Sequence, residues 1–194
     1  MAVPLRPVLL ALPGLVLAAA GTVHPMHLSY ATSQAWWTLH VPGLFVFPLV
    51  GVALMALFQG RRDPVALVAV LLAFGYAVAY SALDVIDGIA AGYVTHRLGP
   101  GVPRPDEVRY LFDIGRPFGE WGSQALLLAT VVVVLDGLWR RHTRALPAVL
   151  MVPGAYLVHE FHIFAPQGVA GMVLIGLSTG WLAYVSQEPG PSRA

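Results

Sequence analysis

Apolar residues in this chain run in long stretches, not in the alternation of a half-buried strand or the single stripe of a water-facing helix. A helix that crosses a bilayer needs about 20 mostly apolar residues. Six stretches approach that length: 7–23, 41–59, 64–91, 121–139, 145–163 and 168–186. The pattern predicts an all-α integral membrane protein, a bundle of six transmembrane helices forming one polytopic domain over 1–194. The first stretch, Arg6 followed by apolar residues and LAAAG, also reads as a secretory signal peptide. Cleavage there would leave five spans. The links are short except for an expected extracytoplasmic loop over 95–121. Its GPGVPRP run predicts irregular backbone in the first half, and the following DEVRYLFDIGRPFGEW suits a short interfacial helix.

Arginines orient the bundle. The short loops holding Arg61–Arg62 and Arg140–Arg144 belong inside by the positive-inside rule. Both termini then lie inside, with Arg6 and Arg193, while Arg97, Arg104, Arg109 and Arg116 lie outside. Composition adds exclusions. The chain is 57% apolar and 11% charged, against about 25% charged in a soluble domain. A formal charge of +1 offers no basic patch, so no nucleic-acid partner is expected. Without cysteine there is no thiolate nucleophile or thiolate metal site, and without lysine no Schiff-base cofactor.

The polar residues sort by side. His24, His27, His40, His96, His159 and His162 fall at the outer face, and only His142 falls inside. Asp84, Asp87, Asp106, Glu107, Asp113, Glu120 and Glu160 are outer; Asp63, Asp136 and Glu188 are inner. Ionisable groups at the edge of a membrane helix are costly unless they face the bundle interior and find partners. Three pairs share one spacing: His24/His27, Asp84/Asp87 and His159/His162. On a helix, residues three apart share a face, so two imidazoles so placed can chelate a metal. Zinc, iron and copper all accept imidazole and carboxylate. The expected ligands are His24, His27, His40, Asp84, Asp87, His159 and His162, with Glu120 and Glu160 as catalytic bases.

Each residue also has a plainer local reading. Pro25 makes 24–27 a turn, and Trp36 and Trp37 beside His40 read as an interfacial aromatic belt. Asp84/Asp87 and His159/His162 read as helix exits, Asp113 pairs with Arg109 or Arg116, and His96 reads as solvated loop. Small residues at Ala73, Gly75, Ala77, Ala79 and Ser81 predict close helix packing.

The combined expectation is a metal-dependent, multi-pass membrane enzyme. Its His/Asp/Glu site faces the periplasm or exterior and acts on a lipid or membrane-embedded substrate. Three alternatives stand beside it: a metal or proton-coupled transporter with Asp136 as its next station, a haem protein ligated by His40 and His159, and a non-catalytic accessory protein. No G-x-S-x-G, H-E-x-x-H or P-loop motif occurs. The H-x-x-H pairs resemble the histidine boxes of membrane desaturases and hydroxylases in spacing, but the doubled H-x-x-H-H is missing and the face is opposite. The His24-Pro25 pair resembles that of nickel and cobalt permeases, without their following Asp-His element. Neither resemblance assigns a residue here.

Overall fold

The structure, a computed structural model, describes residues 5–103 and 105–187. Arg104, Glu188 and Arg193, which enter the sidedness argument, lie outside the described residues. No strand occurs among the described residues. The helices are α1 (Leu5–Gly21), α2 (Tyr30–Ala56), α3 (Pro64–Leu83), α4 (Ala91–Leu98), α5 (Asp106–Arg141), α6 (Met151–Phe161) and α7 (Gln167–Val185). A π-helical segment, Asp84–Ala90, joins α3 to α4, and a 3-10 segment, His142–Leu150, leads into α6. Four helical runs are long and apolar enough to cross a membrane: Tyr30–Ala56, Pro64–Leu98, Asp106–Phe161 and Gln167–Val185. Leu5–Gly21 is apolar but shorter.

Two expectations are corrected. The second helix begins at Tyr30, not Val41, which moves His40 from a helix start to mid-helix. The helix starts there because the Ser29 N–H donates to the Thr32 hydroxyl at 2.9 Å and closes the first turn, and the hydroxyls within the polar stretch are satisfied on the preceding turn. Ser33 donates to the Tyr30 carbonyl and Thr38 to that of Gln34, both at 2.7 Å. The loop over 95–121 is also largely helix. Only the GPGVPRP run separates α4 from α5, and α5 carries Pro117 within it. At 36 residues, α5 is about 54 Å long, longer than a bilayer's hydrocarbon core is thick.

Without water to expel, membrane helices associate through close packing and polar contacts. Glycine permits this at α1/α7, where Gly14 lies against the Gly176 backbone, and at α2/α3, where Gly51 sits on the Ala73 carbonyl. Phe47, Tyr76, Tyr80, Leu126 and Met172 fill the interior.

An ion network closes the end of the bundle opposite the histidines. Asp63 caps α3 by accepting the Ala66 N–H at 3.1 Å. Arg61 reaches Asp63 at 2.9 Å and Asp136 on α5 at 2.6 and 2.8 Å, and Arg140 adds a bond to Asp136 at 3.0 Å. The Arg61 guanidinium holds the Asp63 carboxyl down at about 2. The folded form gains from that bond fully above the ordinary carboxyl value of 3.8 and loses it as pH falls through about 2. Asp136 is therefore committed to two guanidiniums. Asp136→Asn is expected to lower stability by about 2 kcal/mol by leaving a partly buried Arg61 short of a partner. Thermal unfolding in detergent checks this; an unchanged midpoint would mean that the network is fully solvated.

Candidate metal centre

Three chain segments bring three imidazoles together. His24 lies in the turn after α1, His40 in the middle of α2 and His162 just past α6. One ring nitrogen from each lies within 4.8 Å of the other two. His24 and His40 are each 7% exposed, and His162 is partly buried.

Backbone acceptors determine how these rings present themselves. His40 Nδ1 is 2.7 Å from the Trp36 carbonyl, and His24 Nδ1 is 2.8 Å from the Pro25 carbonyl. A carbonyl can only accept, so in both rings Nδ1 carries the proton. Both Nε2 atoms are then lone pairs, and they face each other at 3.5 Å. Two lone pairs at that distance attract only through something electrophilic between them. Two nitrogens on one tetrahedral metal, at about 2.0–2.1 Å each, stand about 3.4 Å apart. Burial lowers the basicity of His24, which favours the neutral ring that a metal requires.

A carboxylate stands beside His40. Asp84 is fully buried, and its Oδ1 is 4.0 Å from His40 Nε2. Neither of its oxygens has a hydrogen-bond partner. Buried polar atoms are rarely left so. The carboxyl rests on the backbone of Gly43, where a Cβ would stand 2.8 Å from Oδ2. Gly88, in the π-helical segment, leaves room for the His40 ring, which a Cβ there would overlap. Within that segment the Asp87 carbonyl accepts the Trp36 indole N–H at 3.0 Å. Segments of π-helix often mark functional sites because they re-aim side chains.

Aromatic rings hold the third imidazole. His162 stacks against Phe47, with centroids 5.3 Å apart, and against Tyr80 at 5.7 Å. It adopts φ 51°, a conformation that costs on the order of 1–3 kcal/mol for a residue with a Cβ. Phe164 and Trp36 meet His24 edge-on at 4.8 and 5.0 Å.

The remaining expected ligands are not part of this close cluster. His27 is exposed and lines a separate hollow with Arg109, Asp113 and Arg116. The Asp87 carboxyl packs against Gly115. His159 sits on α6, with Nδ1 2.7 Å from the Ser123 hydroxyl, which donates to the Glu120 carbonyl. His159 must then donate from Nδ1, so its Nε2 is an acceptor. His159, Glu120 and Glu160 line the same cavity of about 360 Å³ as the three clustered histidines. Both glutamates are exposed. His96 is helical, not looped; it meets the Ser33 hydroxyl at 3.3 Å and stacks on Tyr30. Trp36 is buried rather than belted, and Arg109 pairs with Asp106, not Asp113.

Ser123, Phe47, Tyr80 and the two spacer glycines are absent from the sequence-based site. Gly43 and Gly88 did carry a signal, because glycine inside a helix costs about 1 kcal/mol and so points to close approach. No family model, curated protein or solved structure matches this chain.

Proposed function

We propose that the chain is a metal-dependent membrane enzyme whose metal is held by His24, His40 and His162, with Asp84 as the fourth ligand. The observation that carries this reading is the 3.5 Å approach of two Nε2 lone pairs, each fixed by a backbone carbonyl on the far side of its ring. Such outer hydrogen bonds orient metal-binding histidines and make them better ligands. Three nitrogens and one carboxylate suit zinc, iron or copper. Zinc would supply Lewis acidity and iron or copper redox chemistry.

The protein's own groups supply the rest. His159 Nε2 can take a proton while Ser123 holds the ring, and Glu120 and Glu160 offer carboxylates on the same cavity wall. The apolar frame around this cavity points to a lipid or membrane-embedded substrate. In this reading α1 crosses the bilayer, and the run 106–161 crosses twice, reversing at His142 (φ 51°). That makes six crossings, with both termini inside and the histidine end facing the periplasm or exterior of a cell membrane.

The other readings have less support. Haem iron between His40 and His159 would need the Nε2 face of His40, which His24 covers. A transporter would need Asp136 as a second station, and Arg61 and Arg140 engage it.

Elemental analysis and an optical spectrum of the detergent-purified protein test the proposal. About one zinc, iron or copper per chain is expected, retained in His27→Ala and His159→Ala. A Soret band would replace it with the haem reading. A metal-free, colourless protein that takes up none of the three ions on titration would overturn it.

A further inference from the structure

Two apolar hollows lie one behind the other between the exposed apolar surface and the histidines. The first, of about 270 Å³, lies between α1 and α2 and is lined by Leu9, Leu12, Val16, Val46, Leu49 and Val52 among others. The second, of about 100 Å³, shares Val16 and Val46 with the first and continues past Gly43 and Phe47. It ends at His24 and His40, which also form a wall of the main cavity. The three spaces thus lie in sequence, neighbours sharing Val16 and Val46 in one case and His24 and His40 in the other.

Polarity changes along the series in one direction. The outermost hollow has only apolar side chains, and the inner one has none but apolar groups until the two histidines. Beyond them the main cavity presents Asp87, Arg116, Glu120, His159 and Glu160. The entrance faces the bilayer: Leu9, Leu12, Val16, Leu49 and Val52 are each 40% exposed or more. From Leu9 to Ala20 the furrow follows α1 for about 17 Å, comparable to the depth of one leaflet, half of about 30 Å. A long aliphatic chain fits a furrow of that length and polarity. Its polar head would then lie where the lone pairs converge.

We infer that the α1/α2 furrow holds the aliphatic tail of a lipid substrate and sets its head group at the His24/His40 pair. This deepens the proposed function: it rests on the histidine site and names the part of the molecule that gives the substrate its grip. What distinguishes it from an ordinary lipid-wetted surface is that the inner hollow is lined by His24 and His40 themselves.

A palmitic-acid analogue with a photoreactive diazirine in its tail provides the probe. It is added to the full-length protein in detergent, irradiated, and the adducts are mapped by mass spectrometry while metal content is measured on the same samples. Adducts should concentrate on the α1 and α2 residues of the furrow. Val46→Trp should cut them about tenfold, the effect of losing the burial of two methylenes, without changing bound metal. Val16→Trp, at an exposed position, serves as the second variant should the first misfold. Adducts spread over α5 and α7 as heavily as over α1 and α2, or unaffected by both substitutions, overturn the tail site even where metal is present. Furrow adducts in samples that bind no metal overturn the metal reading and leave the tail site standing.

Discussion

His40→Ala is expected to lower metal affinity by more than the roughly 10–100-fold typical of losing an outer-sphere partner, so that the purified variant carries no stoichiometric metal. The reason is the position of this ring, the hub of the cluster. It opposes His24 Nε2 at 3.5 Å and lies 4.0 Å from Asp84, and its own proton is fixed on the Trp36 carbonyl. Removing it takes away one proposed ligand and the contact that brings the other two groups near it. Gly88→Ala should produce much of the same loss while leaving every ligand in the chain. A Cβ at position 88 would overlap the His40 ring, and the ring cannot retreat without leaving the Trp36 carbonyl. Titration with zinc, iron and copper, followed by elemental analysis, reads both variants; a single symmetric peak on size exclusion in detergent shows that they remain folded. Stoichiometric metal in His40→Ala would sink the assignment. Full metal binding in Gly88→Ala would show that the ring has freedom the packing does not suggest.

The helical membrane-type frame was legible because long apolar runs are a strong signal, and the convergence of His24, His40 and Asp84 at one end was legible from where polar residues fall. What failed was the local geometry assumed for the pairs. Equal spacing implied one helical face, but Pro25 keeps 24–27 out of helix, and His162 lies beyond the end of α6 at φ 51°. Each pair therefore sends one histidine to the cluster and the other elsewhere. His27 goes to the surface, and His159 goes to Ser123. Asp84 and Asp87 separate in the same way: one approaches His40, and the other packs on Gly115. Trp36 is buried, although aromatic residues near a membrane edge suggest an interfacial belt. Its burial depends on α2 starting eleven residues earlier than hydropathy alone implies, and on Gly92 making space for its ring across α4. The start at Tyr30 is fixed by the Ser29–Thr32 bond that closes the first turn, which a hydropathy window does not register.

Asp84→Asn should separate binding from folding, moving the two in opposite directions. A buried carboxyl with neither oxygen hydrogen-bonded costs the folded state about 1–3 kcal/mol, and Asp84 is in that position. Asparagine keeps the shape that fits over Gly43 and removes the possibility of a buried, unpaired charge. The metal-free variant, prepared with a chelator, should therefore unfold at the same temperature as wild type or higher. Its metal affinity should fall by at least the roughly 10–100-fold of losing an outer-sphere partner, because a neutral amide oxygen is a poorer ligand than a carboxylate and cannot offset the charge of the ion. Metal added to wild type should raise the unfolding temperature through preferential binding to the folded state, and that increment should shrink in the variant. Thermal unfolding in detergent, with and without metal, gives all four values. A plain helix-exit acid would show neither effect. Loss of stability in the metal-free variant with metal affinity intact would make Asp84 a packing group and leave the centre with three imidazoles alone. Stability retained and affinity lost would mark a carboxylate whose burial cost is met only when the ion is bound.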